Sequence, residues 1–240
     1  MSSLSGQKAV VVGAGSGIGQ AIARSLVKAG AEVAIGGRRE SALAETAAGT
    51  AMLAHPIDVA CRESTNRFFA WAVEHLGQID VLVNAAGINI KTRSMADMAP
   101  EQWDEVLAIN ATGAYNCLHA VLPAMRERKA GTILNVSSIA GKRAIDLGGI
   151  AYSASKFAMT ALGTCVSNEV AGDGVRLTNL YPGEVDTPLL EQRPTAVDEA
   201  HRKRILQPQH VADLVIAVLA LPPAVHVPEI VIKPLSQTWY

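Results

Sequence analysis

Cysteine is scarce in this chain. Cys61, Cys117 and Cys165 are odd in number, far apart and outside any Cys-x-x-Cys spacing. That excludes a disulfide framework and a thiolate zinc site, and leaves core or surface thiols. Net charge is also small, at −1 with a pI near 6.6, so there is no electrostatic footprint for nucleic acid or an anionic membrane. No stretch of about eighteen or more apolar residues occurs, and the N-terminal Met-Ser-Ser-Leu-Ser-Gly-Gln-Lys lacks the apolar core of a signal peptide. A soluble, cytoplasmic protein is expected. His55, His75, His119, His201, His210 and His226 show no metal-ligand spacing, so no catalytic metal is expected. Linkers, short-period repeats and low-complexity segments are missing too, which argues for one domain over residues 1–240 with a small molecule as partner.

What the chain does have is a core, at 49% hydrophobic residues, and a regular alternation. Short apolar runs at Ala9 to Val12, Val33 to Ile35, Ala51 to Ile57, Val81 to Val83, Thr132 to Val136, Val175 to Leu180 and Ile230 to Ile232 read as strands. Helix-like spacing separates them at Ile18 to Ala29, Ser41 to Ala48, Ser64 to Leu76, Trp103 to Arg128, Tyr152 to Ala171 and His210 to Leu221, and Pro208 suits a helix start. The pattern predicts an α/β fold: a Rossmann-like, doubly wound parallel sheet of about seven strands flanked by helices. Gly183 to Gln207 has no clear element, which makes residues 183–207 a candidate substrate lid.

Two local patterns carry chemistry. Val10-Val11-Val12 runs into Gly13-Ala14-Gly15-Ser16-Gly17-Ile18-Gly19 and then an amphipathic helix. Glycines let the backbone approach a pyrophosphate, while free N–H groups and the positive end of the helix dipole stabilise its charge. The spacing is Gly-x-x-x-Gly-x-Gly, since Ile18 occupies the last position of the stricter dinucleotide template. Further on, Tyr152 and Lys156 lie four residues apart in a helical stretch, so phenol and ammonium project from one face. An adjacent ammonium favours the phenolate, and this would lower the tyrosine pKa towards a value useful for acid–base work.

Taken in order along the chain, these motifs resemble the short-chain dehydrogenase/reductase family over nearly the whole length. Gly13, Gly17 and Gly19 match its cofactor turn, with Val12 where a Thr is usual, and Asn84-Ala85-Ala86-Gly87 matches its Asn-Asn-Ala-Gly motif with the second Asn replaced. Asn110 lies in a matching helix, Ser138 follows the fifth strand, and Pro182-Gly183-Glu184-Val185-Asp186-Thr187 matches the Pro-Gly-x-Val-x-Thr turn after the sixth. The resemblance implies that Ser138 bonds the substrate oxygen and Tyr152 exchanges its proton. Lys156 would tune Tyr152 and hold the nicotinamide ribose, and Asn110 would hold a water leading to solvent. Ser137 is the neighbouring alternative to Ser138, and Asn110 has the plainer reading of a buried side chain that satisfies backbone groups. Cofactor contacts are expected from Gly13, Ser16, Gly17, Ile18, Gly19, Asp58, Val59, Asn84, Ala85, Ala86, Gly87, Tyr152, Lys156, Pro182, Gly183, Val185 and Thr187.

Cofactor choice turns on Ile35-Gly36-Gly37-Arg38-Arg39-Glu40. No carboxylate occupies the key position, Gly37, to accept from the ribose hydroxyls, whereas Arg38 and Arg39 can pair with a 2′-phosphate, so NADP is favoured over NAD. The expected substrate is a hydrophobic ketone or secondary alcohol, rather than a sugar or highly charged acid, in a mostly apolar pocket of Ile139, Ala140, Ile145, Ile150, Leu189 and Leu190. Arg143 is available to an anionic group, against the plainer reading of a solvated loop arginine. The resemblance also implies a homo-oligomer, a tetramer or dimer built on the two long helices, to which Trp239 and Tyr240 could add aromatic anchors. Its glycine-rich tail is replaced here by Val227-Pro228-Glu229-Ile230-Val231-Ile232-Lys233-Pro234, which argues against an acyl-carrier-protein substrate. Competing readings are a nucleotide-sensing scaffold, which needs no proton donor, and a lyase, epimerase or dehydratase that recycles its cofactor.

Overall fold

The computed structural model describes residues 4–238, so Trp239 and Tyr240 lie outside the described residues. Each of the seven apolar runs forms a strand: β1 (Lys8–Val12), β2 (Glu32–Gly37), β3 (Leu53–Pro56), β4 (Val81–Asn84), β5 (Gly131–Val136), β6 (Val175–Pro182) and β7 (Glu229–Ile232). All pair in parallel in one sheet of order β3-β2-β1-β4-β5-β6-β7. Such strands are apolar throughout because helices cover both faces. In β1, Ala9 and Val11 join one apolar layer with α1 (Gly17–Lys28) and α2 (Glu40–Ala47). Val10 and Val12 join the other, against Phe68 and Phe69 of α3 (Arg62–Leu76). A chain that winds outward in both directions from β1 leaves a crevice at the carboxyl ends of β1 and β4, where ligands bind in such sheets.

The long helix expected from Trp103 to Arg128 is three segments in one run. α4 (Pro100–Leu107) passes through a π turn (Ala108–Thr112) into α5 (Gly113–Arg128). A Cβ at Gly113 would meet Val59 Cγ2 at 2.6 Å, so the glycine admits the helix close to the loop after β3. A π turn inside an α-helix often marks a functional site, and this one carries Asn110. The segment Gly183 to Gln207 is also more ordered than expected. It contains a 3-10 turn (Pro188–Gln192) and α7 (Glu199–Arg202), and a parallel bridge from Val185 to Leu206 closes its base. Arg202 on Asp186 at 2.5 Å adds an ion pair, and α8 (Pro208–Leu219) then starts at Pro208.

Three asparagines stand in register across the sheet, Asn84 on β4, Asn135 on β5 and Asn179 on β6. Asn84 Nδ2 donates to Asn135 Oδ1 at 3.0 Å, and Asn135 Nδ2 to Asn179 Oδ1 at 3.4 Å. α6 (Ile150–Val170) lies directly on this ladder because Gly163 has no side chain. A Cβ there would collide with the Asn179 amide and come within 2.9 Å of Asn135 Nδ2. Gly163→Ala should therefore cost about 1–3 kcal/mol through overpacking. Gly172→Ala, whose Cβ would meet nothing within 4 Å, should change stability by no more than about 0.5 kcal/mol. Urea unfolding of both variants checks the difference, and equal stabilities would show that α6 has room to move away.

Candidate active site

Tyr152 and Lys156 occupy the first turns of α6, one above the other, with Lys156 Nζ 5.7 Å from the Tyr152 ring centroid. Ser138, at the end of β5, hydrogen-bonds the Tyr152 phenol and accepts from Ala140 N at 3.1 Å. Ser137 faces elsewhere, with its Oγ 3.3 Å from the Lys156 carbonyl and 3.2 Å from Thr160 Oγ1. Of the two serines, Ser138 is the one beside the phenol. Lys156 is buried, and its ammonium donates to the Val136 carbonyl at 2.9 Å. Desolvation pulls its pKa down to about 8, which still leaves the charged form in the majority at neutral pH.

The tyrosine departs from expectation. Burial pushes its phenol above the ordinary tyrosine value, and the groups that pull the other way are Ser138, by hydrogen bond, and Arg93, by charge. Lys156 faces the Val136 carbonyl instead, so the cation acting on the phenol is Arg93, which the sequence reading did not single out. Arg93 is itself fixed from three directions: Nε donates to Ile90 O at 3.0 Å, Nη2 to Gln192 O at 2.8 Å, and Nη1 to Leu147 O. Gly149, at φ +79°, leaves the space that the Arg93 side chain fills.

Asn110 is fully buried and its amide is committed. Nδ2 donates to Ile88 O at 3.0 Å and to Ser155 Oγ at 2.9 Å, while Oδ1 accepts from Ile88 N at 2.8 Å. Because Ser155 sits between Tyr152 and Lys156 on α6, these bonds brace that turn of α6 against the π turn. The water expected on Asn110 therefore has no free amide N–H to accept from.

A cleft of about 840 Å³ runs over the glycine turn to Tyr152 and Lys156. Gly13, at φ +83°, lies so close to β4 that its Cβ would meet Ala85 C at 2.6 Å, and Gly17 adopts φ +57° beside Thr187. Ser16 precedes α1 without capping it by its side chain. Ile18, Gly19, Asp58, Val59, Ala85, Ala86, Gly87 and Thr187 also line the cleft, with Arg38 and Arg39 at its outer end. Those two arginines are exposed and, among the described residues, have no ion-pair partner. A cradle of bare backbone at a helix N-terminus, with free cations at the far end, fits a phosphorylated dinucleotide.

Four expected cofactor residues sit elsewhere. Asn84 turns its side chain into the asparagine ladder and does not line the cleft. Pro182, Gly183 and Val185 line a second, smaller hollow of about 130 Å³ on the other side of Tyr152, because β6 ends beneath the substrate side. Ile139, Ala140, Ile145, Leu189 and Leu190 line this hollow as expected, but Ile150 is exposed at the start of α6 and Arg143 does not reach it. Its polar lining went unforeseen: Asn89, Arg93, Glu184, Arg193 and Gln237. Glu184 replaces a variable position of the Pro-Gly-x-Val turn, a signal available in the sequence. Gln237 comes from beyond β7, where nothing in the sequence pointed to the site.

Residues 7–198 match the short chain dehydrogenase family, and the chain belongs to it. An uncharacterized oxidoreductase of Staphylococcus epidermidis is 35% identical over 229 residues, covering 95% of this chain and 96% of the relative. Among solved structures, the closed form of a serine dehydrogenase complexed with NADP+ superposes with a TM-score of 0.89 at 29% identity, covering 97% of this chain and 96% of that one. A 3-ketoacyl-(acyl-carrier-protein) reductase from Brucella melitensis complexed with NADH gives 0.87 at 28%, covering 96% and 98%. The chain is an NAD(P)-dependent dehydrogenase or reductase.

The site yields a prediction that needs no substrate. Since the Arg93 charge lowers the Tyr152 pKa, Arg93→Gln should move titration of that phenol to higher pH. The Tyr152 contribution is isolated by subtracting the ultraviolet titration of Tyr152→Phe. A phenol that titrates at the same pH in both backgrounds would show that Arg93 lies outside its field.

Proposed function

We propose that the chain transfers hydride between NADP(H) and a small carbonyl or secondary alcohol. The observation that carries this reading is that Tyr152 lines both hollows, with the cofactor-sized cleft on one side and the smaller pocket beside Ser138 on the other. When bound, the nicotinamide accepts or supplies the hydride. Ser138 donates a hydrogen bond to the substrate oxygen and orients it towards the Tyr152 phenol, which gives up its proton in reduction and takes one in oxidation. Lys156 would hold the nicotinamide ribose, and its charge would favour the phenolate of Tyr152. Asn110 acts as the brace that keeps Tyr152 and Lys156 at this spacing.

NADP is supported by the absence of a carboxylate at the end of β2 and by the unpaired Arg38 and Arg39 there. The segment 183–207 serves as the lid, and its ion pairs support a part that closes as a unit. Assembly as a dimer or tetramer through α5 and α6 fits the exposure of Tyr115 and Phe157 on those helices. A cytoplasmic setting fits three cysteines that are all unpaired.

Tyr152→Phe keeps the ring and removes the proton donor, so turnover should fall at least about a hundredfold while cofactor binding survives. Turnover like that of the unmodified chain, on a substrate with rate-limiting chemistry, would remove the tyrosine from this role. For the cofactor, Arg38→Ala, Arg39→Ala or Gly37→Asp should each shift preference towards NAD by roughly ten- to a hundredfold. Gly37 can accept the change, because its Cβ would make ordinary contacts with Leu43 at 3.4 Å and Gly15 N at 3.9 Å. The ratio of kcat/KM for the two cofactors at fixed ionic strength is the measurement, and an unchanged ratio would return both arginines to the solvated surface.

A further inference from the structure

The smaller pocket has an uneven charge. Its wall carries two guanidiniums, Arg93 and Arg193, and one carboxylate, Glu184. Glu184 Oε2 accepts from Arg193 Nη2 at 2.9 Å and lies 2.6 Å from His201 Nε2. Burial raises the Glu184 pKa, but the bonds from His201 and Arg193 outweigh it, so the group is held below the ordinary carboxylate value and stays ionised. Within this pocket one carboxylate thus faces two arginines, while Asp146 and Asp198 line the outer hollow that both arginines also border. Arg193 is withdrawn from water, with 13% of its side chain exposed, and Arg93 is half-buried, its pKa lowered by that burial. An uncompensated cation in such a place is costly unless an anion joins it.

The two cations are also aimed. Arg93 is locked by three backbone carbonyls and sits close enough to Tyr152 to act on its phenol. Arg193 spends one Nη on Glu184 and, among the described residues, has no other partner. Both, with Leu147, also form the partition to an outer hollow of about 350 Å³. The pocket between phenol and partition is small, at about 130 Å³.

Building on the carbonyl–alcohol reading above, we infer that the substrate is a short carboxylate, an oxoacid or hydroxyacid whose anionic end lies against Arg93 and Arg193 while its carbonyl or hydroxyl meets Ser138 and Tyr152. This replaces the expectation of a purely hydrophobic substrate. The apolar side chains of Ile139, Ala140, Ile145 and Leu190 enclose the carbon chain between those two ends.

The test is calorimetric binding of acetoacetate and of its neutral isostere acetoacetamide to the enzyme–NADP+ complex, which cannot turn either ketone over. The acid should bind about tenfold or more tightly than the amide. Glu184→Gln removes the competing carboxylate and should widen that ratio. Arg193→Gln removes a cation and should narrow or invert it, and Arg193→Lys should restore part of it. Opposite shifts in the first two variants are what charge requires, whereas a merely structural role would move both the same way. Failure of the acid to bind, an equal or tighter amide, or same-direction shifts overturn the inference. Reduction of neutral ketones by the same enzymes, supplied with NADPH in place of NADP+, is scored separately. Turnover there with no acid preference sinks only the charge inference, and no turnover on charged or neutral carbonyls sinks the oxidoreductase reading itself.

Discussion

The site depends on how closely the first glycine turn lies against the end of β4. Ala85 N donates to Val12 O at 2.9 Å and Gly13 N to Gly36 O at 2.8 Å, so the turn is gripped by strands on both sides. Any side chain at Gly13 would occupy the backbone of Ala85 and Ala86. That contact decides where α1 begins and hence where its positive end points. Thr46, fully buried on α2, secures the turn from the opposite side through a 2.9 Å bond to Ala14 O. Cleft, helix dipole and the position of Arg38 and Arg39 all follow from that grip.

On the far side of the cleft the same economy recurs with polar atoms. The asparagine ladder and Gly163 seat α6 on β5 and β6, and the seated helix carries Tyr152 and Lys156. Ser137 secures the Lys156 carbonyl, Asn110 secures Ser155, and Val136 O receives the ammonium. Ser137, Asn110 and the Lys156 ammonium, all beside Tyr152, are thereby each held by another group. Preorganisation of this kind is what lets a buried ammonium and a raised phenol sit side by side without collapse.

The strands were legible because buried parallel strands are apolar along their whole length, and so were the glycine turn and the Tyr152–Lys156 pair, which are local in sequence. Ser138, which lies beside the phenol, was preferred to Ser137 only through family pattern, since alternation at a strand end leaves either choice open. The π turn was hidden, because Ala108 to Thr112 has the composition of ordinary helix. Asn84 was misassigned to the cleft since its ladder partners lie 51 and 95 positions away. The pocket charges were missed for the same reason: Arg93, Glu184, Arg193 and Gln237 converge from separate loops, and no periodicity links them.

The Arg93 anchorage has a bearing on how such a pocket can change over generations. Its three acceptors are main-chain carbonyls of Ile90, Leu147 and Gln192, and every amino acid supplies one. Replacing those residues leaves the anchor points in place as long as the loops keep their course. The frame around the pocket is therefore decoupled from the identities of the side chains that decorate it, so mutation can sample new linings while the guanidinium holds the loops together. A descendant could acquire a different pocket lining by exchanging residues at 147 or 189, with no accompanying loss of the arrangement of Tyr152, Ser138 and Arg93.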